Sequence, residues 1–301
     1  LFLTKEKLWP HLPELIDAML RFYKGALPDF ISAHYADGGY GAALIQKKTG
    51  IPFSFTGHSL GAQKLDKMGT TADNWLSMEK RFKFSKRLAA ERISMKYATK
   101  VMVSTKQERD EQYAHPLYAS ALDQIDKTKF EVIPPGVNEK IFSRTATGTD
   151  DKLKQKLDNI FGSNGGPAIL VSSRLDEKKN IIGVVQAYLK DTFLIEKSHL
   201  VLCFRGINNP ATDIHKLSKE EQIVLQEILK IIEHGHIQKH VYFLNIGSQL
   251  ELAATYRYFA QRGSVFALTS LYEPFGLAPL EAAATGLVPV VTKNGGPSEI
   301  F

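Results

Sequence analysis

The feature that most constrains the fold of this chain is an alternation, from Asp29 onward, of short apolar runs with longer amphipathic segments. Continuous apolar runs are typical of β-strands that helices cover on both faces, and amphipathic segments are typical of the covering helices. Elements in this order build βα units around a parallel sheet. The pattern therefore predicts an α/β fold.

The alternation falls into two series with a polar stretch between them. The first series has apolar runs at 29–35, 51–57, 100–104 and 131–134 and helical patterns at 39–49, 73–98 and 105–114. The second has apolar runs at 168–173, 199–205, 241–246, 264–270 and 287–292 and helical patterns at 180–190, 218–234, 249–261 and 279–285. We therefore predict an N-terminal domain over 1–145, a linker over 146–165 and a C-terminal domain over 166–301.

Two open parallel sheets also predict where the chemistry lies. Ligands bind such sheets in the crevice beside the carboxyl ends of the strands. The loops that directly follow the predicted strands are therefore the places to look for functional residues.

The richest of these loops runs from Ser270 to Gly286 and passes from a predicted strand into a predicted helix. Gly276 allows the backbone to approach a ligand closely, and amides beside a helix N-terminus supply donors for a phosphate. Glu273 precedes the loop and Glu281 lies on the helix, so two carboxylates flank one place and suit the hydroxyl groups of a ribose or hexose. The alternative is that each glutamate only stabilises a helix N-terminus.

A second loop, after the predicted strand 168–173, carries Arg174, Lys179 and Asn180. Arginine offers a planar fork to phosphate oxygens, lysine offers a compact charge, and asparagine caps the helix that follows. Arg174 and Lys179 together suit a diphosphate leaving group, although a basic loop of this kind also fits a solvated turn. Their position in the same predicted sheet as Glu273 favours the functional interpretation.

In the first domain the predicted strand 51–57 leads into Gly57-His58-Ser59-Leu60-Gly61. A histidine between glycines at a strand end is exposed and can donate to a sugar hydroxyl or a phosphate. The segment also matches Gly-x-Ser-x-Gly, the nucleophile elbow of serine hydrolases, but the Asp and His that this enzyme class needs do not follow in a matching strand context. We therefore favour the sugar or phosphate contact. At the exit of the preceding strand stand His34, Tyr35 and Asp37, and a buried structural histidine is the alternative for His34.

The composition excludes several classes of protein. Hydrophobic residues make up 44% and charged residues 23% of the 301 residues, as in a globular chain and not a disordered one. No apolar stretch approaches the roughly 20 residues that span a bilayer, and the start lacks the layout of a signal peptide, so we expect a cytoplasmic protein. The 38 basic and 32 acidic residues include no long basic runs with aromatics, which favours phosphorylated ligands over nucleic acid or a membrane surface.

The sequence predicts neither a cofactor nor a catalytic metal. His234, His236 and His240 are close in sequence, but they straddle a helix end and a strand start and do not form a metal-binding motif. The chain contains neither a Walker loop nor a Gly-x-Gly-x-x-Gly fingerprint. The single cysteine, Cys203, lies in an apolar run that is typical of a buried, inert thiol, so no disulfide forms within the chain.

Taken together, Glu273 with Glu281, Arg174 with Lys179, and the strand-end His58 resemble the retaining glycosyltransferases of GT-B fold. Within that family the resemblance is to the sucrose-phosphate synthases, on Thr56-Gly-His-Ser-Leu-Gly-Ala-Gln-Lys64, His34-Tyr-Ala-Asp-Gly-Gly39, Lys5-Glu-Lys-Leu-Trp-Pro10 and Val132-Ile-Pro-Pro-Gly-Val137. It covers nearly the whole chain. The fold that it implies is two Rossmann-like domains facing a central cleft.

The resemblance implies transfer of glucose from UDP-glucose to fructose 6-phosphate, giving sucrose 6-phosphate and UDP with retained anomeric configuration. The implied catalytic residues are His58, near the reacting carbon of the donor sugar, with Glu273, Arg174 and Lys179. The implied donor contacts are Arg174 and Lys179 at the diphosphate, Glu281 at the ribose, and Glu273, Phe275, Gly276 and Leu277 at the donor glucose and phosphate. The implied acceptor contacts are Lys5, Lys64 and Arg87 at the acceptor phosphate and Tyr35 and Asp37 near the fructose. Ser59 is a further implied acceptor contact.

The resemblance also implies that the whole fold has a glycine-rich loop before Leu1 and further helices after Phe301, and it allows association with a sucrose-phosphate phosphatase. Two alternatives remain open. One is a related transferase with another phosphorylated acceptor, such as an inositol phosphate or a glyceryl phosphate, and the other is a non-catalytic nucleotide-sugar-binding homologue. Lys64 in its Gly-His-Ser-Leu-Gly setting favours fructose 6-phosphate over the other acceptors.

Overall fold

The computed structural model divides the chain into two compact units, Leu1–Pro134 and Pro135–Phe301. It describes residues 5–23, 25–122, 127–163 and 165–301. Each unit contains one parallel sheet.

The first unit has a four-stranded sheet of order β1-β2-β3-β4. Its elements are α1 (Lys5–Leu8), a 3-10 turn (Trp9–His11), α2 (Leu12–Tyr23), β1 (Ile31–His34), α3 (Tyr35–Thr49), β2 (Phe53–Thr56), α4 (Gly61–Lys67), α5 (Trp75–Phe82), α6 (Phe84–Tyr97), β3 (Lys100–Val103), a π-helix (Glu108–Tyr113), 3-10 turns (Pro116–Tyr118 and Lys127–Lys129) and β4 (Phe130–Val132). His34 pairs with Thr56 in the register of β1 and β2. The loops after these two strands therefore leave the sheet side by side.

The core of the first unit explains why β2 reads as a continuous apolar run. Phe53, Ser54 and Phe55 on β2 are all buried, so both faces of this strand are covered. Helix α3 approaches α6 closely at Gly39, where an added Cβ would lie 2.2 Å from the Oγ atom of Ser94. Only glycine fits at this crossing.

The second unit has a five-stranded sheet of order β7-β6-β5-β8-β9. Its elements are α7 (Asp150–Phe161), β5 (Ala168–Ser172), a 3-10 turn (Glu177–Lys179), α8 (Ile181–Lys190), α9 (Thr192–Lys197), β6 (His199–Phe204), α10 (Pro210–Asp213), a 3-10 turn (Ile214–Lys216), α11 (Lys219–His234), β7 (Val241–Asn245), α12 (Gln249–Ala260), β8 (Val265–Leu268), α13 (Leu277–Thr285), β9 (Val288–Val291) and α14 (Pro297–Ile300). The strand order runs outward in opposite directions from β5, so the topological switch point lies between β5 and β8. Ligand sites of open α/β sheets form at such points.

The segment 146–165, which the sequence predicts as a linker, contains helix α7 and belongs to the second unit. Leu153, Leu157 and Phe161 repeat on one face of α7 and are buried in the core of that unit. The ion pair of Asp150 with the buried Arg257 on α12 fixes the start of the helix (2.7 Å). The charged residues of α7 face outward. Because they dominate the composition of the segment, its apolar face was not recognised from the sequence.

The helix that the sequence predicts over 73–98 is two helices, α5 and α6. Lys83 lies between them with a φ of 50°, in the left-handed region. Neither Gly nor Pro marks the interruption, so helical periodicity alone could not reveal it. The break turns Lys83 toward a cavity described below.

Candidate active site

The centre of the second unit's site is an ion pair at the topological switch point. The loop after β5 carries Lys179, and the loop after β8 carries Glu273. The Nζ atom of Lys179 donates to the Oε2 atom of Glu273 at 2.7 Å, and the side chains are only 23% and 14% exposed. The hydroxyl of Ser270 donates to the same carboxylate oxygen at 3.3 Å. The structure therefore brings together two residues that the sequence places 94 positions apart.

Backbone and side-chain hydrogen bonds join these two loops. The Nδ2 atom of Asn180 donates to the carbonyl of Thr269 at 3.1 Å, and the Thr269 hydroxyl donates to the carbonyl of Asn180 at 3.3 Å. The Leu271 amide donates to the carbonyl of Lys178 at 2.9 Å. These contacts fix the loop that carries Lys179. The predicted side-chain cap by Asn180 is wrong, since no side-chain cap forms at the start of α8 and the Asn180 side chain contacts the Thr269 carbonyl instead.

A third loop, after β9, holds the backbone of Glu273. The Glu273 amide donates to the carbonyl of Asn294 at 3.1 Å, and the Gly296 amide donates to the carbonyl of Glu273 at 2.9 Å. Gly295 has a φ of +106°, and an added Cβ would lie 2.0 Å from the Glu273 carbonyl oxygen. Only glycine at position 295 therefore leaves room for the backbone of Glu273.

The N-terminus of α13 follows Glu273 and is built for close backbone approach. Its N-cap is Gly276 with a φ of +103°, and no side chain caps the first turn. The ring of Phe275 is buried, whereas Leu277 is 42% exposed. Glu281 lies on the same helix, and burial raises the pKa of its carboxyl group. Amides at a helix N-terminus can bind an anion, and this N-terminus follows Glu273 directly in the chain.

Sequence reasoning missed a neighbouring cavity of about 400 Å³. Its lining includes Ser172, Arg174, Phe204, Arg205, Ile246 and Gln249. These residues lie at or after the carboxyl ends of β5, β6 and β7, at the same edge of the sheet as Lys179. The sequence could have indicated this cavity, because the predicted strands 199–205 and 241–246 end at the same edge of the sheet.

In the first unit, His34, Tyr35 and His58 meet where β1 and β2 end. The Nδ1 atom of His34 lies 2.8 Å from the Nε2 atom of His58, and the rings of Tyr35 and His58 are 4.7 Å apart. Tyr35 and His58 have φ values of 62° and 54°, which side-chain-bearing residues rarely adopt. Backbone strain of this kind concentrates at functional sites. His34 is exposed, so the structural-histidine alternative does not describe it.

The environment of His58 yields a testable titration. Burial, and next the proximity of His34, lower the pKa of His58 below its ordinary value of 6.5. Since the folded-state pKa is below that of the unfolded chain, the unfolded chain binds the proton first, and stability is lost as the pH falls from 6.5 through the folded-state value. We expect a ¹H–¹⁵N NMR titration to give a midpoint below 6.5 that rises in His34→Ala. A midpoint at or above 6.5 in the unsubstituted protein would contradict this account.

A cavity of about 210 Å³ in the first unit brings together four of the predicted acceptor residues, Tyr35, Asp37, Lys64 and Arg87. Trp9, Phe82, Lys83 and Phe84 complete most of the lining, and the sequence analysis assigned none of them to a site. The Nζ atom of Lys64 lies 4.4 Å from the centre of the Phe82 ring. The Lys5 side chain lies outside the described residues. The cavity thus combines three cations with a carboxylate and aromatic faces, which suits a phosphorylated polyol.

Ser59 lies beside this cavity without lining it. Its carbonyl and its hydroxyl each accept from the Nη2 atom of Arg87, at 2.5 and 3.4 Å. A guanidinium remains protonated and cannot take the hydroxyl proton, so this contact does not activate a serine nucleophile. The arrangement agrees with the rejection of the serine-hydrolase interpretation.

Comparison with known families decides the class of protein. Residues 2–161 match the model of the sucrose synthase first GT-B domain, and residues 154–301 match the model of the glycosyl transferases group 1. The chain belongs to the GT-B glycosyltransferases of the sucrose synthase group. The predicted fold class and enzyme class are therefore confirmed.

Individual relatives show which GT-B glycosyltransferases this chain resembles in sequence and structure. The probable sucrose-phosphate synthase of Thermosipho melanesiensis is 43% identical over 304 residues, which cover 100% of this chain and 63% of that protein. A sucrose-phosphate synthase structure from Thermosynechococcus elongatus superposes with a TM-score of 0.68 at 21% identity, covering 98% of this chain and 63% of that one. Anabaena HepE in complex with UDP and glucose gives 0.66 at 16%, covering 97% and 65%. The chain thus spans less than two thirds of each of these proteins. The identity to the Thermosipho melanesiensis protein confirms the predicted resemblance to the sucrose-phosphate synthases.

In the part of the chain that the structure describes, no three His, Cys, Asp or Glu side chains are grouped so that they could hold a metal ion. None of the helices in this part has the length and apolar character needed to cross a membrane. The expectation of metal-independent chemistry stays a prediction.

Proposed function

We propose that this protein transfers glucose from UDP-glucose to fructose 6-phosphate and so forms sucrose 6-phosphate and UDP with retained anomeric configuration. The observation that carries the proposal is the 210 Å³ cavity in which Lys64, Lys83 and Arg87 face the same space as Asp37. Three cations suit a phosphate dianion, and a carboxylate suits sugar hydroxyls. The similarity to proteins named sucrose-phosphate synthase supports this choice of acceptor.

The donor half of the proposal rests on the second unit. Arg174 and Lys179 bind the diphosphate, and the amides around Gly276 bind the phosphate nearest the glucose. The 400 Å³ cavity takes the nucleoside, and Glu281 accepts from the ribose hydroxyls. Glu273, held by Lys179 at 2.7 Å, accepts from the donor glucose. Anabaena HepE, a protein of this fold, forms a complex with UDP and glucose, and this supports a donor of the same kind for this chain.

The proposed reaction breaks the bond between C1 of glucose and the β-phosphate oxygen of UDP. The C2 hydroxyl oxygen of fructose 6-phosphate forms the new bond to C1 on the face that the phosphate leaves, and its proton passes to the departing phosphate oxygen. Negative charge grows on the diphosphate, so the fixed cations Arg174 and Lys179 stabilise the transition state. His58 contacts the donor sugar close to the reacting carbon. We propose that these side chains supply the charge without a metal ion.

We also propose an association and a cellular location for this enzyme. Sucrose 6-phosphate carries a phosphate that a phosphatase removes, so association with a sucrose-phosphate phosphatase would shorten its path. We propose a cytoplasmic location for the reaction. Cell fractionation with antibodies to both proteins tests the location and the association.

The experiment that tests the reaction is ¹H NMR of a mixture of the protein, UDP-glucose and fructose 6-phosphate. We expect an α-glucosyl signal of sucrose 6-phosphate to appear together with UDP. A β-linked product would refute retention. Turnover only with an inositol phosphate or a glyceryl phosphate would assign a different acceptor, and UDP binding without turnover would identify a binding homologue.

Lys64→Ala tests the acceptor site. We expect the KM for fructose 6-phosphate to rise at least about tenfold, because a charge-assisted contact to phosphate is lost, while the Kd for UDP stays within twofold. The matched control is Lys67→Ala, which removes an exposed lysine of the same helix that does not line the cavity. Equal losses of fructose 6-phosphate and UDP affinity would argue against this role of Lys64.

A further inference from the structure

We propose that Glu91 is a positioning residue that sets Arg87 and helix α4 for the phosphate group of the acceptor. The inference deepens the proposed function and rests on it for the identity of the acceptor. Glu91 lies on α6 with only 1% of its surface exposed, outside every motif that the sequence analysis singled out. A buried carboxylate needs a cation and hydrogen bonds, so its partners indicate what it does.

The partners of Glu91 come from three separate parts of the first unit. The Gly61 amide donates to both carboxylate oxygens at 2.9 and 3.0 Å. The Nε atom of Arg87 donates to Oε1 at 3.0 Å, and the hydroxyl of Tyr118 donates to Oε2 at 2.5 Å. Burial raises the pKa of the Glu91 carboxyl group, and the charge of Arg87 opposes that shift. The carboxylate is therefore the junction of the α4, α6 and Tyr118 segments.

Helix α4 begins without a side-chain cap of its own. Its N-cap residue, Leu60, offers no side-chain acceptor, and the first helical N–H groups need partners. Glu91 accepts from Gly61, while the Tyr118 hydroxyl accepts from Ala62 at 3.1 Å. A Cβ at Gly61 would lie 2.9 Å from Glu91 Oε2, so the contact also requires glycine there. These two distant side chains fix the helix that carries Lys64.

Arg87 is held from two sides before any ligand arrives. Its Nε atom contacts Glu91, and its Nη2 atom contacts the carbonyl of Ser59. A guanidinium has five N–H donors in a fixed plane, and Arg87 also lines the cavity that contains Lys64. Glu91 thus determines which edge of the Arg87 guanidinium faces the cavity. Preorganisation of this kind raises affinity because less freedom is lost on binding.

The variant Glu91→Gln keeps the size of the side chain and changes its hydrogen bonding. An amide presents two N–H donors where the carboxylate accepted, so one of them opposes a donor from Gly61, Arg87 or Tyr118. We expect the KM for fructose 6-phosphate to rise about tenfold, while the KM for UDP-glucose stays within twofold. The matched control is Glu131→Gln, which breaks an exposed ion pair with Lys100 in the same unit. We expect the KM of Glu131→Gln for fructose 6-phosphate to be unchanged.

The deciding measurement follows the Arg87 Nε–H resonance by NMR during titration with fructose 6-phosphate and, separately, with inorganic phosphate. We expect both ligands to shift it in the unsubstituted protein and both Kd values to rise about tenfold in Glu91→Gln. Unchanged Kd values in a Glu91→Gln protein that melts cooperatively would overturn the inference. If inorganic phosphate behaves as expected but fructose 6-phosphate releases no UDP, the proposed function fails and the role of Glu91 stands. If Glu91→Gln does not fold, Tyr118→Phe, which removes one donor to the same carboxylate, takes its place with the same expected direction.

Discussion

Replacing Lys179 with methionine is expected to lower kcat for UDP formation by about 10²–10³-fold. Lys179 is the cation of the ion pair with Glu273 at the switch point of the second sheet, where we propose that the diphosphate leaves. Methionine preserves most of the side-chain length and removes the charge that stabilises the leaving group. Steady-state rates at saturating UDP-glucose and fructose 6-phosphate measure the effect.

Lys178→Met is the matched control for this prediction. Lys178 is the adjacent exposed residue, and its hydrogen bonds in the loop use backbone atoms: its carbonyl accepts from the Leu271 amide, and its amide donates to the Asp176 carboxylate. We expect its kcat to remain within about twofold of the unsubstituted protein. A similar loss of kcat in both variants, or a nearly normal kcat in Lys179→Met, would show that Lys179 does not stabilise the leaving diphosphate.

Gly295→Ala is expected to destabilise the protein by about 3 kcal/mol. Two effects add: the backbone has a φ of +106°, and the new Cβ would lie 2.0 Å from the Glu273 carbonyl oxygen. The backbone must then shift, and Glu273 shifts with it. Urea denaturation measures the loss of stability, and the KM for UDP-glucose reports the displaced carboxylate.

Gly263→Ala separates the two effects in Gly295→Ala. Gly263 also has a positive φ, +66°, but an added Cβ there would meet no atom within 4 Å. We expect a destabilisation of about 1 kcal/mol from backbone strain alone, with the KM for UDP-glucose unchanged. If Gly295→Ala is no more destabilising than Gly263→Ala, the close approach of the two loops is absent in solution.

In the second unit the sequence predicted the five strands and helices α8, α11, α12 and α13, but it did not predict α7, α9, α10 or α14. Strands β5, β6 and β8 are largely buried, so they read as continuous apolar runs between amphipathic helices, whereas Val288 and Val290 on the edge strand β9 are exposed. Because parallel strands end at one edge of a sheet, the residues that follow them, such as Lys179 and Glu273, could be grouped before any coordinates were known. The strand order was needed to place Arg174 at the 400 Å³ cavity together with residues that follow β6 and β7.

Other features depend on contacts that no local pattern shows. Helix α7 is polar in composition, and its role appears only when Leu153 and Phe161 are seen in the core of the second unit. Lys83 reaches the 210 Å³ cavity of the first unit through a helix break without Gly or Pro. Glu91 reads as one more charge on a basic helix, and its burial against Gly61 and Tyr118 depends on tertiary packing. The sequence therefore could not predict core packing of polar segments, a helix break without Gly or Pro, or the long-range hydrogen bonds of buried groups.

The most direct test of the central claim is UDP release from UDP-glucose as a function of fructose 6-phosphate concentration, with fructose as the comparison acceptor. The account predicts release that saturates with fructose 6-phosphate and is at least about tenfold less efficient with fructose, because Lys64, Lys83 and Arg87 then have no phosphate to bind. Release that is independent of fructose 6-phosphate, in a folded protein that binds UDP, would contradict it.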